Sequence, residues 1–169
     1  MKTQKRRRRL FKTDYKKRIA FLKSNSPRIV FRRTNKYIIA QYIESNEAQD
    51  RVRYGLTSKH LLKYGWPKDF ENSLKSLPAS YLIGLLLGKY IRNKKTEKVV
   101  IDSGISRKVY GGRFFAFLNG LKDSGVNIKC NEEFFPSKER IKGKDLKRDF
   151  SKFFDEIKKR IEIKEYERE

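Results

Sequence analysis

The stretch Leu77–Gly88, LPASYLIGLLLG, has no room for a polar face. Wound at 3.6 residues per turn, Tyr81, Leu82, Ile83, Leu85, Leu86 and Leu87 cover most of the helix surface, and a helix that is apolar nearly all round must lie buried. Its apolar run, Tyr81–Leu87, is broken by Gly84 and is too short to span a bilayer. Ser76-Leu77-Pro78 opens the helix, with proline in its first turn, and the pattern carries it to about Asn93. Gly84 and Gly88, one turn apart, leave space for a second element to approach. The chain must therefore build layers around this helix.

The surrounding sequence supplies them. Arg28–Arg33 (RIVFRR), Lys36–Glu44 (KYIIAQYIE) and Arg51–Leu56 (RVRYGL) are rich in β-branched and aromatic residues. Thr34-Asn35 suits a tight hairpin between the first two, and polar Ser45–Asp50 a turn before the third. Alternation sets Arg28, Val30 and Arg32 on one face and Ile29, Phe31 and Arg33 on the other; it also opposes Arg51 and Arg53 to Val52 and Tyr54. Thr57–Tyr64 reads as a short helix stopped by Gly65-Trp66-Pro67. Beyond the central helix, Lys98–Asp102 (KVVID) reads as a buried strand, and Arg113–Lys122 as a helix with Phe114, Phe117, Leu118 and Leu121 in one stripe. The order βββαβα implies an α/β fold, a mixed sheet with flanking helices. A further short strand is expected at Asn127–Cys130, and a helix over Lys144–Ile161 burying Leu146, Phe150, Phe153, Phe154, Ile157 and Ile161. Near the start, Thr13 or Asp14 can cap a helix to about Lys23 with Tyr15, Ile19 and Leu22 on one side. The expected organisation is a basic arm over 1–12, disordered when free, an α/β domain over 13–130, and an extension over 131–169 ending in the amphipathic helix.

Charge says what such a domain meets. Formal net charge is +23, and residues 1–36 hold fifteen lysines and arginines against one acid, Asp14. A small domain stays soluble with a net charge of roughly 2 to 8, so the surplus calls for a polyanion. A membrane surface is a poor match, because no apolar insertion face accompanies Arg6–Arg9. Nucleic acid fits: each neutralised phosphate releases a counterion. Phe11, Tyr15, Phe31 and Tyr37 are interleaved with the cations, as stacking on unpaired bases requires, although for Phe31 core packing is the stronger expectation.

Little else suggests chemistry. Cys130 and His60 are each the only residue of their type, which leaves no internal disulfide and no thiolate cage. No basic start followed by an apolar run marks a signal peptide, so an intracellular, soluble protein is expected. Asp102, at the end of a strand, stands where a nuclease could carry a metal-binding carboxylate. Glu44 and Asp50 do not obviously join it, and capping of the following loop is the expected role. Gly111-Gly112, beside Arg107, Lys108 and Arg113 and ahead of a helix, could hold one backbone phosphate or simply turn the chain. No Walker-type loop, dinucleotide glycine pattern or G-x-S-x-G motif appears. No cofactor and no catalytic group is expected.

Seven blocks occur in order: RRRRLFKTDYKKRIAFLKS, PRIVFRRTNKYIIAQ, KYGW, PASYLIGLLLG, VVIDSGI, GGRFFAFLNGLKDSG and FPSKERIKG. Together, from about Arg6 to Gly143, they closely resemble the universal large-subunit ribosomal protein family that binds 5S ribosomal RNA, in its archaeal form. The resemblance implies a ribonuclease-H-like α/β domain without catalytic duty, which anchors 5S rRNA in the central protuberance beside 23S rRNA, a second 5S-binding protein and other protuberance proteins. Carried over by motif, RNA-binding positions are Arg6, Arg7, Arg8, Arg9, Lys12, Thr13, Tyr15 and Arg18, the hairpin residues Arg32, Arg33, Asn35 and Lys36 with Gln41, and the loop with Arg107, Lys108 and Arg113. Phe11, where the family usually has a small residue, and Arg28 join them as candidates on charge and aromatic grounds.

Overall fold

A computed structural model describes residues 3, 6–10, 13–46, 49–92, 99–105, 108–146 and 148–163. A four-stranded mixed sheet forms its centre: β1 (Arg28–Arg33), β2 (Ile38–Asn46), β3 (Gln49–Thr57) and β4 (Val100–Asp102). Their order across the sheet is β3-β2-β1-β4. The first three pair antiparallel, and β4 joins β1 in parallel, with Ile29 opposite Ile101. Helices α1 (Arg6–Arg9) and α2 (Tyr15–Lys23) precede the sheet. Helices α3 (Leu77–Arg92), α4 (Arg113–Asp123), α5 (Lys138–Lys142) and α6 (Ser151–Ile163) follow β3, with β4 between α3 and α4.

Helix α3 is the buried centre that its composition demands: every residue from Pro78 to Gly88 is buried. Ile29, Phe31, Ile38, Ala40 and Tyr42 meet it from the core face of the sheet. Phe31 packs its ring 5.0 Å from Phe117 of α4 and edge-on to Phe114 at 5.7 Å. The pleat of β1 puts Ile29 and Phe31 on the core face and Arg28, Val30 and Arg32 on the other, but burial does not alternate with it, because Arg28 and Val30 are buried as well.

The closest helix pair is α3 with α4. A Cβ at Gly84 would collide with the Phe117 carbonyl, one at Gly120 with the Tyr81 carbonyl, and one at Gly88 with the Ser124 side chain. Gly84 meets Phe117 and Gly120 meets Tyr81 where the helices cross, Gly88 meets Ser124 on one side of that crossing, and Leu77 shares a pocket lining with Gly112 and Arg113 on the other, so the two helices run in the same direction with their amino ends together. Helix α6 and the residue before it close the same core: the ring of Phe150 lies 4.5 Å from that of Trp66, and the ring of Phe154, within α6, lies 5.4 Å from that of Tyr81. The Lys89 ammonium donates to the carbonyls of Ile161 and Glu162 at the carboxyl end of α6, rather than serving only its own helix end.

Several local expectations shift. The hairpin loop is four residues, because Arg33 pairs with Ile38 and the Thr34 amide donates to the Tyr37 carbonyl at 2.9 Å. A β-bulge faces Tyr42 and Ile43 with Tyr54 and Val52, so Arg53 is the extra residue. Val52 therefore leaves the face of Tyr54 and stands 49% exposed. Residues 127–130 form no strand. Helix α6 starts at Ser151, seven residues later than its apolar spacing suggests: Gly143 (φ +84°) closes α5, and the Asp149 carboxylate accepts from the Ser151 amide. Leu146 and Phe150 still reach the core from non-helical backbone. In α2, Ile19 is 53% exposed and no residue is buried; Tyr15, Phe21 and Leu22 carry its partial burial.

Candidate nucleic-acid interface

The basic residues divide into those whose charge the fold uses and those whose charge it presents. Arg28 belongs to the first group. Its guanidinium, buried beside β2 and β3, donates to the Ser45 hydroxyl at 2.9 Å and to the Asp50 carboxylate at 2.5 Å. Burial raises the Asp50 pKa, but the Ser45 hydroxyl and the Arg28 guanidinium outweigh it and hold the carboxyl below its ordinary value. Arg32 donates to the carbonyl and the carboxylate of Asp102, at 2.9 and 2.7 Å. Asp102 also accepts from the Gly104 amide at 2.7 Å, which is the loop-capping role expected of it.

These pairs line an open groove of about 440 Å3 between α2 and the outer sheet face. Lys17 and Arg18 enter it from α2, against Asp14, Asp50 and Asp102, so its cations and acids nearly balance. Asp14 caps α2 by accepting from the amides of Lys16 and Lys17 at 3.1 and 3.2 Å. Thr13 and Tyr15 are half-buried at this end, and Arg18 is exposed. Gln41 lies on the same outer face, between Val30 and Gly55 in neighbouring strands.

Arg33 follows Arg32 and, by alternation, emerges on the opposite face. There it lines a second pocket, of about 270 Å3, with Lys108, Arg113 and Arg140. Among the described residues no Asp or Glu lines it. Gly111 and Gly112 form its floor, with Gly112 as the residue before α4 and no side-chain cap on that helix. Burial first, and then the charge of Arg33, depress the Arg113 pKa. Arg140 pairs with Asp145 at 3.2 Å. Nearby, Tyr110 is 69% exposed and stacks on Phe134 with centroids 4.4 Å apart.

Asn35 and Lys36 are exposed at the hairpin tip, where the Asn35 carbonyl accepts from Lys75 at 2.8 Å. Arg6 and Arg9 are exposed on the single turn of α1 that also holds Arg7 and Arg8. Phe11, Lys12 and Arg107 lie outside the described residues. Sequence reasoning missed Arg140 and Tyr110. Arg140 sits within the FPSKERIKG block, but nothing in its spacing brings it to Arg33; Tyr110 carried no signal beyond its aromatic ring.

Catalytic alternatives find no constellation. Asp50 and Asp102 line one groove, yet each carboxylate is held by an arginine. No group of three or more His, Cys, Asp or Glu side chains is placed to hold a metal ion among the described residues. His60 bonds the Thr57 amide through Nδ1 at 3.1 Å, a local cap. Cys130 is half-buried, and burial raises its thiol pKa. Among the described residues no helix is long and apolar enough to cross a membrane.

Comparison with known proteins points the same way. Residues 1–98 match the family model described as ribosomal large subunit proteins 60S L5 and 50S L18. The chain is 41% identical over 145 residues to large ribosomal subunit protein uL18 of Korarchaeum cryptofilum, an alignment covering 86% of this chain and 72% of that relative. It is 38% identical over 141 residues to the uL18 protein of Methanospirillum hungatei, covering 83% of this chain and 78% of that relative. An α/β domain whose unbalanced charge faces outward, matched over most of its length by these archaeal proteins, belongs to the uL18 family of structural, non-catalytic large-subunit ribosomal proteins.

Proposed function

We propose that the chain binds 5S rRNA in the large subunit of the cytoplasmic ribosome and helps to anchor it in the central protuberance, alongside 23S rRNA, a second 5S-binding protein and other protuberance proteins. The observation that carries this reading is the separation of charge. Arg28 and Arg32 are neutralised within the fold, while Arg33, Lys108 and Arg113 line a pocket without an acid among its described residues, and Lys36, Arg6 and Arg9 are exposed. Such cations attract a phosphate backbone, and the shape of a folded RNA supplies the selectivity.

The test is a filter-binding measurement with the full chain, comparing 5S rRNA with an unrelated duplex RNA of similar length over a range of salt. Tighter binding to 5S rRNA at every salt concentration is the expected result. Equal affinity for both would leave a general compactor of nucleic acid and overturn the reading.

A further inference from the structure

We propose that the pocket between the amino ends of α3 and α4 is a discrete phosphate site that takes one phosphodiester of the RNA backbone. The proposal rests on the RNA-binding reading above and gives it one specific seat.

The parallel packing of α3 and α4 makes the seat. Leu77, the first residue of α3, and Gly112-Arg113, where α4 begins, line the same pocket. Two helix amino ends thus converge, each with a partial positive charge; α4 turns the amides of its first residues toward the pocket end, while Pro78, which has no N–H, leaves α3 fewer donors. No side chain caps α4, because Gly112 has none to offer. A Cβ at Gly112 would come within 2.7 Å of the Val109 carbonyl, so the tight loop needs glycine and keeps the amino end of α4 uncovered. Next to Leu77, the buried hydroxyl of Ser76 has no hydrogen-bond partner among the described residues.

Side chains add charge of one sign. Arg33 comes from the end of β1, Lys108 from the loop before α4, Arg113 from α4 and Arg140 from α5. Four separate segments bring cations to one concave surface, with no carboxylate among the described residues of its lining. Within the fold alone this arrangement is unfavourable, since Arg33 and Arg113 repel each other. An anion between them reverses the sign of that interaction. Phosphate suits the geometry, because guanidinium forks and backbone amides both donate to its tetrahedral oxygens. The Arg140–Asp145 pair is solvent-exposed at 48% and 64% of its side chains, so Arg140 can exchange its carboxylate for the phosphate at little cost.

Two measurements on the full chain test the site. The first is an NMR titration with inorganic phosphate against chloride at constant ionic strength. Saturable shifts are expected at the amides of Gly112 and Arg113 and at the Arg113 Nε, abolished in Arg33→Gln and in Arg113→Gln. The second is the salt dependence of 5S rRNA binding. Each variant should weaken binding about tenfold and lower the log–log salt slope by about one phosphate contact, whereas Lys159→Gln on α6 changes neither. Arg33 is exposed, so its variant reports on the pocket even if Arg113→Gln fails to fold. Absence of the phosphate shifts overturns the proposal. Phosphate shifts with an unchanged RNA slope also overturn it, because the pocket would then serve free phosphate. Equal binding of wild type to 5S rRNA and unrelated duplex, with both variant effects intact, would instead overturn the 5S reading and keep the phosphodiester site.

Discussion

Arg32 and Asp102 are seventy residues apart in sequence, and the guanidinium of one closes on both the carbonyl and the carboxylate of the other. The pair ties β1 to the turn after β4 on the outer sheet face. Arg33, one residue on, points to the other face and into the cation-lined pocket. A doublet that reads as one basic patch is thus divided by the pleat of the strand into a structural arginine and a presented one.

Asp102→Asn tests that division. The new side-chain oxygen can still accept from Gly104, but Arg32 loses its anionic partner. Arg32 is 40% exposed in its side chain, which discounts the loss to about 1 kcal/mol, or a drop in unfolding temperature of about 2–4 °C. Affinity for 5S rRNA should stay unchanged. A tenfold loss of affinity would place the outer-face pair against the RNA.

Arg28 and Asp50 give a pH signature. The folded Asp50 carboxyl lies below its ordinary value, so its contribution to stability is complete above the unfolded pKa of about 3.9 and is lost as pH falls through the folded one. Arg28→Gln removes the partner from a carboxylate that is 34% exposed, at a cost of about 2 kcal/mol near neutral pH. Urea unfolding at pH 7 and pH 3 should show that deficit shrinking in acid. A deficit that does not change with pH would mean that Asp50 is not the group that Arg28 stabilises.

What could be read beforehand follows the range of the interactions. Strand β1 and the central helix were legible because alternation and all-round apolarity are local patterns, and Asp102 as a loop cap because its acceptor role spans two residues. Pairings of Arg28 with Asp50 and Arg32 with Asp102 cross 22 and 70 residues, and no local pattern reports them. The bulge at Arg53 was hidden because its sequence alternates cleanly; only the partner strand shows the slip. Apolar spacing overextends helix α6 because Leu146 and Phe150 have helical spacing and pack into the core, yet Gly143 and Asp149 interrupt the backbone before Ser151. At the candidate site, Gly111-Gly112, Lys108 and Arg113 were read together, while Arg140 and the amino end of α3 arrive only through tertiary packing.

Close packing of α3 on α4 predicts intolerance of a single methyl group. Gly84→Ala would drive its Cβ into the Phe117 carbonyl, and Gly120→Ala into that of Tyr81; both obstacles are backbone and cannot rotate away. Each substitution should cost about 1–3 kcal/mol in urea unfolding, despite the better helix propensity of alanine. If the two helices need this approach to align their amino ends, Gly84→Ala should also reduce the phosphate-induced shift at Arg113. A Gly84→Ala protein as stable as wild type would show that the helices can separate freely.

Deleting residues 1–12 removes seven lysines and arginines and, among the described residues, no core side chain: Arg6 and Arg9 are exposed and Leu10 is 50% exposed. The unfolding temperature should therefore not move, which separates any binding defect from misfolding. Each phosphate contact contributes about 0.7–0.9 to the log–log salt slope, so losing even half of the arm's cations from the RNA should flatten it by about 2–3. Because backbone contacts carry no sequence information, binding of 5S rRNA and of unrelated duplex should weaken by similar factors. Selectivity would then reside in the folded domain, where Arg33, Arg113 and the hairpin hold fixed positions. A deletion that leaves the salt slope intact would show that the arm does not lie on phosphates; one that abolishes the preference for 5S rRNA would move the source of selectivity from the folded domain to the arm.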